Sequence, residues 1–558
     1  MIDYNANNSA EFQNRNQFII FLSGIILIYG LSSFFPDSFL WGVNHLAFLP
    51  AMMRIIVLLI ALSIGFLLMS QKPQSFIDKK IRFRSYPIIV RVLILFLIVI
   101  SGTAIFYIFR IRTDMYGDTL TLLSLLAEKK YTLVDLFDLS DKEPLTRYVH
   151  QLLASAFGID QKSIFQIVSA VSGGLFLIII IVFIANRINT KSWKLLALVV
   201  LFFAGANQLF FGHVEDYTLI YLAITVFLVL AWNLFDGKKV FGWMVIVFLM
   251  GSRLHIEMIL LLPALIYAGA FVIEQRHGRS NHLLQPRRII LLVLASIVGA
   301  LFLYLFHFEA YRYSTGDQKE IMTKIFLPVV NPLPEPHSYS LVSLNHFSDV
   351  IQQLFLIASP ALVLLAIVII GYGKIIRWDE PRLIFSIIAL FYFVIFNFTI
   401  NPMLSMPRDW DMLAPAAAVI NFASIAIAFQ LFKNSKNTFN YSKIIGAVGA
   451  VAILSCTIFI INADEQMSAL RLEGVGKWVF KSYYNGSSYI INMGEKMMGD
   501  PQKQIEHREQ TIKDLLPYAT KHDLNISMLY YKLAVLYYQQ RDFENASNRC
   551  ADALKYDP

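Results

Sequence analysis

Charged side chains are scarce in this sequence. Only 15% of its 558 residues are Asp, Glu, Lys or Arg, where soluble domains carry about 25%. With 57% hydrophobic residues and a mean hydropathy of +0.58, the apolar excess is too large for an ordinary core and places the chain in a bilayer. Cysteine is nearly absent. Cys456 falls in an apolar run and Cys550 in the polar tail, which argues against a disulfide framework or a thiolate metal site. The balance of charge is basic, +8 from 47 Lys and Arg against 39 Asp and Glu. In a membrane protein such a balance reflects cytoplasmic loops, so no nucleic-acid partner is expected.

A bilayer core of about 30 Å needs about 20 apolar residues per helix, and about thirteen runs approach that length, from Phe18 to Phe35 through Ile444 to Ile461. The expected fold is all-α: a polytopic membrane protein of about thirteen transmembrane helices, with interfacial helices and a small helical C-terminal domain. Loop charges set the topology. With the N-terminus cytoplasmic, the inner loops collect Lys and Arg (Lys79, Lys80, Arg82 and Arg84; Arg187, Lys191 and Lys194; Arg276, Arg279, Arg287 and Arg288), while the short outer loops hold only Arg253 and Arg408. This alternation requires Val240 to Met250 and Leu254 to Phe271 to be counted separately, and it puts the tail outside. The first run lacks an A-x-A pattern and reads as an uncleaved anchor.

Three polar regions face outward. Arg110 to Ser163 contains two stretches of helical period, Thr119 to Leu126 and Leu145 to Phe157, suited to the interface plane. Glu309 to Ser348 is rich in Pro and Tyr and reads as a loop. The tail from Ala463 has no hydrophobic span; in it Tyr530, Leu533, Ala534, Tyr537, Ala546, Ala553 and Pro558 fall at the spacing of one tetratricopeptide repeat, or of a generic helical hairpin. A lone repeat cannot bury its face, so Ile505 to Ala519 and Trp478 to Met497 are expected to pack beside it.

Ionisable residues at membrane depth are costly and by default point to function. Here they gather in four groups at outer helix ends: Asp114, Gly117 and Asp118, with Glu143 and His150 beyond; His213, Glu215 and Asp216; Arg253, His255 and Glu257; and Arg408, Asp409 and Asp411. Singly, each has a plainer reading. Glu215 or Asp409 suits a solvated cap, Glu143-Pro144 a helix start, and His255 a hydrogen-bonded core histidine. Together they fit a carboxylate that takes a proton from a hydroxyl and cations that hold a departing phosphate. Arg suits the second task through its planar fork.

The arrangement resembles the GT-C superfamily of polytopic glycosyltransferases. Gly117-Asp118 is similar to its acidic element after a span. Glu143-Pro144-Leu145, continuing to Gly158, resembles its second interfacial helix. The short paired spans joined by Gly251 to His255 are similar to the protein-mannosyltransferase-like branch. Pro407 to Asp411 resembles the motif in which the family sets an arginine against the donor phosphate. The likeness covers roughly Arg110 to Leu431 and departs from the family in two respects: two additional spans come first, and Thr119 stands where a paired acid is usual. The tail resembles that of transmembrane, tetratricopeptide-containing O-mannosyltransferases.

The resemblance implies an inverting, polyprenyl-phosphate-sugar-dependent transferase with Asp118, or alternatively Asp114, as base. Arg408, His255 and Arg253 would hold the donor phosphate; Glu215, Asp216, His213, Glu143, Asp409 and Asp411 are candidates for acceptor or divalent-cation binding, with no metal firmly implied. The expected partners are membrane lipid, the lipid-linked donor, a glycan, lipid or protein acceptor, and a protein on the tail. The expected division is 1–85, with two additional spans; 86–462, the catalytic membrane domain; and 463–558, the tail, periplasmic if the chain sits in a bacterial inner membrane. The alternatives are a transporter or flippase of an anionic or lipid-linked substrate, and a non-catalytic scaffold displaying the tail.

Overall fold

The computed structural model describes residues 15–70, 87–114, 117–138, 141–187, 191–276, 326–327, 330, 339–402, 404–434, 441–483, 488–520 and 523–557. Among them the chain is helical, with an isolated bridge between Phe326 and Ile400. In order the helices are α1 (Arg15–Ser32), α2 (Ala51–Ser70), α3 (Ile88–Ile108), α4 (Thr119–Glu128), α5 (Pro144–Phe157), α6 (Gln161–Arg187), α7 (Lys191–Phe202), α8 (Tyr217–Phe235), α9 (Phe241–Leu254) and α10 (Leu262–Arg276). There follow α11 (Leu344–Tyr372), α12 (Pro381–Thr399), α13 (Ala416–Asn434), α14 (Tyr441–Ala463), α15 (Glu465–Tyr483), α16 (Ser488–Ile491), α17 (Pro501–Leu515), α18 (Leu524–Gln539) and α19 (Phe543–Leu554).

Among the described residues seven helices are long and apolar enough to cross a membrane: α3, α6, α8, Ile256–Gln275, α11 with its extension to Ile375, α12 and α14. Thirteen was the expectation from composition. The run from Ile289 to Phe306 lies outside the described residues, and α1, α2, α7, α9 and α13 are apolar but give shorter stretches. The α7 run shows why a helix can be shorter than its apolar run. Its apolar residues continue to Phe211, yet the helix stops at Phe202 and the chain tightens into a 3₁₀ turn over Gly205–Phe210. Pro360 in α11 has no N–H for the Leu356 carbonyl four residues earlier and crowds it, so α11 bends, with Ala358 at φ −144°. Gly205 fills the bend so closely that a Cβ on it would stand 1.8 Å from the Leu356 carbonyl oxygen.

Packing separates helices that face lipid from those that do not. Along α3 Ile88, Ile89, Val92, Leu93 and Phe96 are exposed, Ile89 by 77%, and only Gly102 and Phe106 are buried. An apolar surface of that extent belongs against hydrocarbon rather than water. By contrast α13 is buried on every side from Ala416 to Ala428, as suits a helix apolar all round. It packs against α11 and α12, while the small residues of α14, Ala447 and Ala450 among them, bring α2 close. Beyond α14 the chain turns at Asp464 into α15. Phe480, Ile491, Ile505, Ile512, Leu515, Ile526, Leu529 and Leu533 then form a separate core that joins α15 to α17 and α18. The expected packing of 505–519 and of part of 478–497 against the terminal hairpin is therefore present, and a buried Arg508–Glu495 pair reinforces it.

The Gly205 contact yields a stability prediction. Gly205→Ala should cost about 1–3 kcal/mol by overpacking and lower the melting temperature of the detergent-purified protein. Gly24→Ala, inside α1 where nothing lies within 4 Å of the added methyl, should not lower it.

Candidate functional site

The loop before α4 is pinned to the loop before α13. The Gly117 N–H donates to the Arg408 carbonyl at 3.1 Å. Gly117 has φ +70°, and a Cβ there would meet Asp411 Oδ2 at 2.5 Å and Glu215 Oε1 at 2.7 Å. Only glycine satisfies both constraints, a left-handed backbone and two carboxylates at its Cα. Asp118 follows at the N-cap of α4, the position where an Asp side chain usually binds free helix N–H groups. Its carboxylate makes no such bond and remains at the solvent-reached edge of the cluster. Thr119, in place of an acid, donates its hydroxyl to the Val214 carbonyl at 3.0 Å and toward Glu215 Oε1 at 3.4 Å.

The 402–411 turn owes its shape to local bonds. Pro402 and Pro407 keep it from becoming helix. The N–H groups of Arg408 and Asp409 both donate to the Ser405 carbonyl, and Asp409 Oδ2 accepts from Leu404 N–H at 2.8 Å. Asp411 Oδ2 is bonded to His213 Nε2 at 2.8 Å, with both side chains buried. Arg408 is enclosed, its Nε buried with no hydrogen-bond partner, while Asp409, Asp118 and Asp411 act on it through charge.

A second group adjoins the first. His255 caps the 3₁₀ turn Ile256–Leu261: its Nδ1 accepts from Glu257 N–H at 3.2 Å, so in the neutral ring the proton sits on Nε2, which faces Glu143 Oε1 at 3.1 Å. Glu143 precedes Pro144 at the start of α5, as the sequence indicates. Arg147, one turn on, pairs with Glu143 at 2.8 Å, with Asp216 at 3.2 Å and with Asp141 at 3.2 Å. Its Nη1 also donates to Tyr131 Oη, a wall of a cavity of about 780 Å³ between α4, α5 and the start of α6.

Burial and neighbouring charge divide the acids. Partial burial, then Asp411, raise the Asp118 carboxyl above its ordinary value, with Arg408 and Lys142 opposing. Burial and Asp411 hold Glu215 well above the carboxylate range, and Asp409 likewise. Burial would raise Glu143 too, but His255 and Arg147 outweigh it and hold the group at about 2. Asp216 has Arg147 without a histidine, and burial wins, pushing it up to about 7. Neutral His150 belongs to the scaffold: burial lowers it to about 4, and it stacks on Phe165 at 3.6 Å.

The sequence-predicted residues therefore divide. Asp118, Arg408, Asp409, Asp411, His213 and Glu215 meet in one group, and Glu143, His255 and Asp216 in the adjoining one. Arg253 joins neither, because its Nη2 donates to the Asp138 carbonyl at 2.6 Å. Asp114 pairs with Lys162 at 2.5 Å, away from Asp411 and Glu215. His255 has a protein partner at each ring nitrogen, so it has no donor to spare for a phosphate. Glu215 and Asp216, although adjacent, point to different partners and form no common ligand pair. No group of three or more His, Cys, Asp or Glu able to hold a metal ion occurs among the described residues. Sequence reasoning missed Arg147. Its position four residues after Glu143, in a helix opened by Pro144, was the available signal.

Comparison with protein families, curated proteins and solved structures finds no match to this chain.

The raised Asp216 carboxyl gives a signed prediction. Its folded value, about 7 against an ordinary 3.8, means that the folded state holds a proton the unfolded state releases. This contribution to stability is complete below pH 3.8 and lost as pH rises to about 7. Asp216→Asn cannot ionise, so the difference in melting temperature, variant minus wild type, should climb between those two pH values and level off above. A flat difference would mean that Arg147 keeps Asp216 ionised throughout.

Proposed function

We propose that the protein is a polytopic membrane glycosyltransferase that moves a sugar from a polyprenyl-phosphate-linked donor to an acceptor hydroxyl, at the end of the bundle where these loops meet. One observation carries the reading: the enclosed Arg408 guanidinium, its Nε unbonded, lies within electrostatic reach of an uncapped carboxylate, Asp118. A fork of donors without a bound oxygen is suited to a phosphate. A carboxylate with no structural bond and a raised proton affinity is suited to deprotonating a hydroxyl.

In this mechanism the acceptor oxygen attacks the anomeric carbon, the bond from that carbon to the phosphate oxygen breaks, and configuration inverts. Asp118 receives the hydroxyl proton, and Arg408 holds the charge that grows on the leaving phosphate. Asp411, Glu215 and Asp409 raise the proton affinity of the site, with His213 fixing Asp411. Glu143, Arg147 and His255 brace α5 against the ends of α8 and α9. The proposed topology is thirteen spans with a cytoplasmic N-terminus and an outer tetratricopeptide-like tail that recruits a partner or acceptor. It accords with the meeting of four groups that the loop-charge rule puts on one face. A transporter would concentrate its charges near the midplane, whereas these stand at helix ends.

Membranes carrying the protein should transfer radiolabel from polyprenyl-phosphate mannose or glucose to endogenous acceptors. Asp118→Asn should reduce the rate by about 10²–10⁴-fold, and Arg408→Gln by about 10²–10³-fold. Asp114→Asn should retain most of it. Undiminished transfer by Asp118→Asn removes the proposed base.

A further inference from the structure

The two helices that precede the catalytic region, α1 and α2, are attached to the bundle in two distinct ways. Their helical parts pack mainly through apolar side chains, Leu22, Ile26 and Ala61 being buried in the common core, with a polar contact from Tyr29 Oη to Ser359 Oγ at 3.1 Å. Their connecting loop is attached by polar bonds. Trp41 is 1% exposed, and its indole Nε1–H donates to Asp349 Oδ1 at 2.9 Å. The Gly42 N–H donates to Gln352 Oε1 at 3.1 Å, and Tyr339 Oη donates to Asp349 Oδ2 at 3.4 Å. One residue beyond Gln352, Gln353 Nε2 donates to the Trp410 carbonyl at 2.7 Å. Trp410 stands between Asp409 and Asp411, two residues after Arg408.

Asp349, Gln352 and Gln353 occupy positions i, i+3 and i+4, one face of the first turns of α11, and all three are buried. Burying a carboxylate and two amides in an apolar bundle is unfavourable unless they are hydrogen-bonded; each makes at least one bond, Gln353 through Nε2 alone, and apolar packing already holds most of α1 and α2. What the polar face adds is direction: hydrogen bonds fix a register that apolar contacts leave free.

We infer that the α1–α2 unit is a positioning element of the site, with Trp41 acting through Asp349, Gln352 and Gln353 to hold the Trp410 backbone and therefore the Arg408 loop. Its functional meaning rests on the reading of Arg408 as the phosphate holder. Trp41, Asp349 and Gln353 are positioning residues, since none of them lies among the proposed reacting groups.

The test uses the full chain in nanodiscs. Trp41→Phe keeps an aromatic ring and removes the indole donor; Trp243→Phe, at a 63% exposed position on α9, is the control. Losing one buried hydrogen bond should accelerate amide hydrogen exchange over 404–412 about tenfold, with α12 and the tail unaffected, and should weaken binding of farnesyl phosphate by about the same factor. A merely structural defect would speed exchange throughout the bundle instead. Where Trp41→Phe does not fold, Gln353→Met removes the last bond of the chain and should give the same localised change. Unchanged exchange over 404–412 in the folded variant overturns the inference. Accelerated loop exchange in a protein whose wild type transfers no lipid-linked sugar would overturn the glycosyl-transfer reading and leave the coupling standing.

Discussion

The hydrogen bond from the Gly117 N–H to the Arg408 carbonyl joins two segments nearly three hundred residues apart, and the site depends on it. With no side chain at 117, the Asp118 end of α4 settles directly on Asp411 and Glu215. Asp411 is fixed in turn by His213, and Glu215 lies beside the Thr119 hydroxyl. One backbone contact thus brings together three of the four groups of ionisable residues. The fourth, His255 with its turn, enters through Glu143.

Charge limits what such a cluster can be. Asp118, Glu215, Asp409 and Asp411 face one guanidinium and one imidazole, so full ionisation would leave several buried negative charges uncompensated. That is expensive at low dielectric, and such burial favours the protonated form of a carboxyl. Burial and mutual repulsion therefore raise the proton affinity of Glu215 and Asp409 well above the ordinary carboxylate range and, to a lesser degree, that of Asp118 at the edge. The neighbouring group is better balanced, since Arg147 answers Glu143, Asp216 and Asp141 together. A site that can exchange protons thus adjoins one that holds its geometry, and α5 is braced by the second.

Much of this was legible in the sequence. Scarce charge makes each exception visible, and the residues that stand out at helix ends are Asp118, Glu143, His213, Glu215, His255 and Arg408 through Asp411. The partners were not legible, because they depend on which face of a turn points inward. Arg253, read as part of the cluster because it stands two residues before His255, ends a helix whose last turn points to Asp138. Arg147 was overlooked for a different reason, because it lies one turn into α5 and is marked only by its spacing from Glu143. Helix length departs from the apolar run where backbone geometry overrides composition: apolar residues continue past Phe202, but Pro360 bends the neighbouring helix and Gly205 follows the bend. The polar face of α11 was hidden as well, since three residues at helical spacing contribute little to an average over an apolar run.

The loop between α3 and α4 is held by main-chain bonds at several points. Ile111 N–H donates to the Phe211 carbonyl at 2.8 Å, and Arg112 N–H to the Asn462 carbonyl at 3.0 Å, before Gly117 meets Arg408. The Asn462 side chain also donates to Gln208 at 2.6 Å. The loop is therefore clasped by the end of α14, the turn before His213 and the turn before α13, and the first of these leads directly into the tail. Main-chain bonds dictate few side chains, so a geometry this constrained can arise from a short motif in which Gly117 and Asp118 alone are stringently specified. The same economy places the tail's first helix one residue pair from the clasp. One main-chain bond, from Arg112 N–H to the Asn462 carbonyl, thus ties the loop that carries Asp118 to the residue three before α15.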